Sequence, residues 1–215
     1  MLREVISNEW FTIFIVLGLL AIAMSKQFFS VRFNDFIAVL GNSKYLKIYS
    51  RDQKFIDGFD SLLFCNLIIS LSIFGFLTYS TLFDPTKFDI VMFLKIIFGV
   101  AALVLIKVLF ERLIGSLFDI DKLIDSYLFQ KTSYLNFSGC LLLPINVILL
   151  YALTPSKLVI YISIGFMILI NSVGLITSFK NHQKLILNNL FYFILYLCAL
   201  EIGPYLILYK LIIKD

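Results

Sequence analysis

Uncharged apolar runs recur along the chain, separated by short polar breaks. Ser61 to Phe83 and Leu158 to Phe179 contain no Asp, Glu, Lys or Arg. Each is long enough, at about 1.5 Å per helical residue, to cross a hydrocarbon core about 30 Å thick. Trp10 to Ser25 is also uncharged and needs a turn borrowed from its flank to span. Leu135 to Leu153 is uncharged but holds Asn136, Asn146 and Pro144, the last of which removes a helical hydrogen bond and predicts a kink. Ile90 to Phe110 carries Lys95 and Lys107 near its ends, and Leu185 to Tyr209 contains Glu201 and a second helix break at Pro204. The pattern predicts an all-α polytopic transmembrane bundle, one domain over 1–215, with spans at 7–25, 61–83, 90–110, 135–153, 158–179 and 185–209.

Between the third and fourth spans the apolar period changes. Leu113, Leu117, Ile120, Ile124 and Leu128 follow one another at steps of four, three, four and four, with Arg112, Ser116, Asp119, Lys122 and Asp125 on the other side. This spacing predicts an amphipathic surface helix within Glu111 to Tyr134. Its polar side sets Asp119, Asp121 and Asp125 against Lys122, a poor match for anionic headgroups. Leu113, Leu117, Asp119, Asp121 and Asp125 are therefore expected to dock protein. Asp84-Pro85-Thr86-Lys87 and Thr154-Pro155-Ser156-Lys157 read as tight turns between antiparallel helices, and Lys180 to Lys184 as another turn. The stretch from Lys26 to Asp60 has room for helices of its own.

Composition supports the same class. Hydrophobic residues make up 60% and charged residues 15% of the chain, and mean hydropathy is +0.97, whereas soluble domains sit near 45–50% apolar and about 25% charged. Too little polar surface remains to cover a water-soluble globule. Glu4 and Glu9 disrupt a positive leader, so the first run is expected to remain as a span rather than a cleaved signal. The formal charge of +4 is explained by basic residues flanking spans, not by nucleic acid. With the N-terminus outside, Lys26, Arg32, Lys44, Lys47, Arg51, Lys54, Arg112, Lys122, Lys131, Lys180 and Lys184 lie inside, against Arg3, Lys87, Lys157, Lys210 and Lys214 outside. The bias places both termini on the periplasmic side of a bacterial inner membrane.

Candidate chemistry is sparse. One histidine, His182, excludes any site that needs two, and no phosphate loop, nucleophile elbow or dinucleotide fingerprint occurs. Ser116 follows Gly115 but has no histidine placed to activate it. Glu111, Asp119, Asp121 and Asp125 read as a solvated polar face rather than a cation site. Cys65, Cys140 and Cys198 read as small packing residues, and Asn66 and Asn171 as interhelical hydrogen-bonding groups. No catalytic residue, metal site or cofactor is expected. The polar group that stands out is Glu201, about 12 Å from the outer end of its span, level with Lys95 at about 7.5 Å and Asn146 at about 10 Å. Lys95, Asn146 and Glu201 are expected to form an intramembrane polar cluster, whether structural or functional. Pro204 adds to it by depriving the Leu200 carbonyl of its donor.

The string from Phe193 to Pro204, continued by Tyr205 to Lys210, resembles the C-terminal signature of an uncharacterised family of bacterial inner-membrane proteins from the Bacteroidota. Phe137 to Pro144 and Asp52 to Cys65 are similar to it as well. The resemblance implies a multi-pass membrane protein and supplies no activity or site residue. The functional expectation is a non-enzymatic subunit or scaffold of an envelope complex, with the lipid bilayer and other membrane or cytoplasmic proteins as partners. The competing expectation is a transporter or flippase for a small or lipid-linked anion.

Overall fold

The computed structural model describes residues 9–42, 44–50, 57–82, 88–117, 121–152 and 156–188. Among them every regular element is helical: α1 (Glu9–Phe28), α2 (Ser30–Ile37), a 3-10 turn (Ala38–Leu40), α3 (Lys44–Tyr49), α4 (Gly58–Leu82), α5 (Ile90–Leu117), α6 (Asp121–Val147) with a π-helical turn (Ile148–Ala152), and α7 (Lys157–Asn188). Five of these helices, α1, α4, α5, α6 with its π turn, and α7, are long and apolar enough to cross a membrane. The expected sixth span begins inside α7 at 185–188 and otherwise lies outside the described residues.

Short polar side chains set the helix starts. Asp89 accepts from the backbone N–H groups of Val91 (3.1 Å) and Met92 (3.3 Å) at the head of α5. Asp57 accepts from Phe59 N–H (3.2 Å) at α4, and Asn42 from Lys44 N–H (2.9 Å) at α3. Each satisfies a donor that the first helical turn leaves without an intrahelical partner.

Helices α4 and α6 form the central pair, with α1 against α4, α7 against α6, and α5 touching both members of the pair. The close approach depends on small residues. A Cβ at Gly139 of α6 would stand 2.9 Å from the Leu67 Cα of α4, and one at Gly174 of α7 would stand 2.5 Å from the Tyr134 ring. Dispersion and close backbone approach hold helices together where lipid tails remove the hydrophobic drive. Large apolar side chains on α5 and α7 point away from the bundle, Phe98 at 77% and Ile168 at 62% exposure among them, which is a lipid-facing surface.

Three expectations change. The amphipathic period from Leu113 to Leu128 is not one helix: Leu113 and Leu117 end α5, while Ile124 and Leu128 begin the antiparallel α6. A four-three spacing continues across a reversal when the facing stripes of two helices happen to stay in phase. The turn expected at Lys180 to Lys184 is also absent, because α7 continues as one 32-residue helix to Asn188. Its length of roughly 48 Å exceeds the hydrocarbon thickness. At Pro144 the helix runs on and loosens only at Ile148, where a wider π turn takes up the irregularity.

Candidate functional site: the polar end of the bundle

The C-terminal ends of α1, α5 and α7 meet the N-terminal ends of α4 and α6. The intervening α2 and α3 fold over this end. Phe33, Phe36, Val39, Tyr45, Leu46, Phe59, Leu63, Phe129 and Tyr134 form a buried core there. Phe36 makes edge contacts with Tyr45 (5.6 Å) and Phe59 (5.7 Å), and Tyr45 stacks on Phe129 of α6 with ring centres 5.6 Å apart.

Into this aromatic core α2 inserts one cation. Arg32 donates through Nη1 to Asp57 Oδ2 and through Nη2 to Asp60 Oδ2 at 2.8 Å. Its guanidinium lies 4.7 Å from the centre of the Phe59 ring and 4.9 Å from that of Tyr49. A planar, weakly hydrated guanidinium suits such a place, because it can stack and bond in its plane together. Burial alone works against its charge, but Asp60 and the Asp57 hydrogen bond overcome that and hold Arg32 more firmly protonated than usual. Burial, reinforced by Asp60, pushes the Tyr45 phenol well above its ordinary range, so it stays neutral.

A second charged group closes the α5–α6 hairpin. Glu111 is fully buried and accepts from Lys131 Nζ at 2.6 Å through Oε1. Beside it Arg112 Nε lies 3.0 Å from Asp125 Oδ1. Ser178 of α7 donates to Gln130 Oε1 at 2.8 Å. These contacts fasten α5, α6 and α7 to one another at the same end as the Arg32 clamp.

Deeper in the bundle a polar seam follows the α4–α6 contact. Asn66 donates to Cys140 Sγ (3.6 Å), Ser70 Oγ to Asn66 Oδ1 (3.4 Å), and Asn146 Nδ2 to the Ser70 carbonyl (2.8 Å). Asn66 thus acts between helices as expected. Asn171 does not: it donates to Met167 O within its own helix (2.9 Å), because a short amide can reach back one turn. Cys65 is exposed rather than packed, and Cys198 lies outside the described residues.

The residues singled out from sequence fall in different places. Lys95 is exposed on α5, and Asn146 is buried on the seam, while Glu201 and Pro204 lie outside the described residues. Leu113 (54% exposed) and Leu117 (70%) stand at the C-terminal end of α5, with Asp121 exposed at the start of α6, Asp125 held by Arg112, and Asp119 outside the described residues. Among the described residues no group of three or more His, Cys, Asp or Glu is placed to hold a metal ion.

The Arg32 clamp and the Glu111–Lys131 pair were not anticipated. A signal existed for the second: Glu111 and Lys131 are equally distant from position 121, the start of α6, as facing residues of an antiparallel hairpin must nearly be. For Arg32 the signal was weaker, an arginine at helical spacing from Phe29 and Phe36 with two aspartates upstream of a span.

The model of a family described as a domain of unknown function, DUF4271, matches residues 11–212. The chain belongs to that family. The match takes in all five apolar helices, the α2–α3 lobe and the polar end, so the family's common unit is the bundle itself. Neither the curated proteins nor the solved structures contain a significant match to the chain.

Proposed function

We propose that this DUF4271 protein is a non-enzymatic subunit of the bacterial inner membrane that anchors a protein partner at the polar end of its bundle, on the cytoplasmic face. One observation carries the reading: Leu113 and Leu117 stand exposed beside the acidic start of α6, on a hairpin held by Glu111–Lys131 and Arg112–Asp125. The charges there hold helices in place and are not arranged as nucleophile, base and orienter. A rigid apolar ridge on a fastened hairpin suits a protein surface. Purification from native membranes in mild detergent, followed by mass spectrometry, tests it. A partner recovered with the natural chain and lost from Leu113→Lys/Leu117→Lys supports the proposal; repeated recovery of the chain alone contradicts it.

The orientation has its own test. Lys47→Cys and Lys157→Cys, each in a cysteine-free background, are labelled with an impermeant thiol reagent. Position 157 reacts from the periplasm and position 47 from the cytoplasm if the termini are periplasmic. Within this reading Lys95 pairs with Glu201. Glu201→Gln then destabilises, and the added change Lys95→Met recovers much of the loss.

Transport of a lipid-linked anion is the second reading. Support comes from an apolar groove of about 370 Å³ between α1 and α6, lined by Leu19, Ile22, Cys140, Leu143, Pro144, Val147 and Ile148. Groove and π turn lie together, and π turns often mark functional sites. Flux of a labelled lipid phosphate in proteoliposomes, lost on Leu143→Trp, favours this reading over the anchor.

A further inference from the structure

The α2–α3 lobe carries an outer surface that the bundle does not use. On α2 Val31 is 73% exposed and Ile37 54%, and on α3 Ile48 is 45% exposed, next to Phe28 (66%) at the end of α1. In water such a set of large apolar side chains would be costly to leave uncovered. The lobe is joined to the end of α1 by the single residue Phe29 and lies against the start of α4. Its height is therefore that of the ends of two spans, where hydrocarbon gives way to headgroups.

Most of the charge on this surface is taken up in pairs, which leaves two exposed lysines, Lys26 at the end of α1 and Lys47 on α3. Lys26, Lys44 and Lys47 are exposed, Asp35 is paired with Lys44 at 3.1 Å, and Asp57 and Asp60 are both turned to Arg32. The neighbouring α5–α6 hairpin differs: its exposed charge at the start of α6 is Asp121, while Asp125 is held by Arg112. Two apolar patches at one end of the bundle thus differ in the charges that border them.

We propose that the α2–α3 lobe is a bilayer-surface element, with Val31 and Ile48 at the boundary of headgroups and acyl chains and Lys26 and Lys47 on anionic headgroups. Lysine stems cover apolar surface while their ammonium groups reach phosphates. The Arg32 clamp fixes the lobe to α4, so the surface meets the leaflet as a preformed face rather than a segment that must fold on contact.

The test uses the whole chain. Trp10, the single tryptophan, is replaced in Trp10→Phe, and Val31→Trp is added. The variant is reconstituted in phosphatidylcholine vesicles, with or without phosphatidylglycerol, and quenched by bromine-labelled acyl chains or by aqueous iodide. The proposal requires roughly twofold quenching by brominated lipid and little by iodide, with lipid quenching strengthened by phosphatidylglycerol. That increment disappears in Lys26→Gln/Lys47→Gln. Ile48→Trp is read in the same way should Val31→Trp not fold. Strong iodide quenching with none from brominated lipid overturns the proposal, as does a response indifferent to lipid charge. Protection from iodide in native membranes but not in pure-lipid vesicles also overturns it and assigns the face to a protein. The anchor reading is untouched by either result, because it concerns Leu113 and Leu117.

Discussion

The two ends of the bundle are both rich in aromatic residues and are built differently. At one end Phe11, Phe76, Phe88 and Phe93 pack ring against ring, with centroids 4.6 to 6.2 Å apart, in a core of aromatic and aliphatic side chains. At the other, the rings of Tyr45, Tyr49 and Phe59 lie around Arg32, which holds two aspartates, with the buried Glu111–Lys131 pair on the adjoining hairpin. Dispersion between rings depends on shape alone and tolerates exchange of one apolar group for another. A buried ion pair fixes which groups face each other, and loss of one partner strands the other. The phenylalanine end is therefore a generic plug, whereas the polar end defines a particular arrangement of helices.

The comparison breaks most sharply at Arg32. Arg32→Leu leaves Asp57 and Asp60 without their cation and is expected to lower stability by about 3–5 kcal/mol, seen as a fall in the thermal midpoint in detergent. A loss below about 1 kcal/mol would make the two ends equivalent. Gly139→Ala comes next: with Leu67 Cα 2.9 Å from the new methyl, overpacking of the central pair should cost about 1–3 kcal/mol in the same assay. Leu142→Met, in the fully buried part of the apolar core, should cost less than about 1.5 kcal/mol. The smallest effect sharpens the seam. Asn66→Ala should lose about 0.6 kcal/mol, as interhelical hydrogen bonds in membranes do, and Asn171→Ala still less because its bond is local.

Much of this architecture is visible in the pattern of charges and apolar runs. The runs at Ser61 to Phe83 and Leu158 to Phe179 mark the apolar stretches of α4 and α7, since a bilayer demands about twenty apolar residues and little else does so. Helix ends are harder to read. Leu113 to Leu128 kept a helical period across a chain reversal, and Lys180 to Lys184 looked like a turn although helical bonding carries α7 through it. Hydrophobic periodicity records which face is apolar, not where the axis changes direction. The polar end was legible only in part. Spacing picked out its leucines and aspartates but as one surface helix rather than a hairpin, and Arg32, Asp57 and Asp60 meet only through the fold of α2 onto α4, which no local pattern encodes.

The most direct test of the partner-anchoring role compares the two ends in native membranes. A photo-crosslinking amino acid is placed at Leu117, at the tip of α5, and separately at Leu158, at the opposite end, each position being 70% exposed. The account predicts a discrete protein adduct from position 117, weakened by Asp121→Lys, and only lipid adducts from position 158. Lipid adducts alone from position 117, or a protein adduct from position 158 in its place, would contradict it.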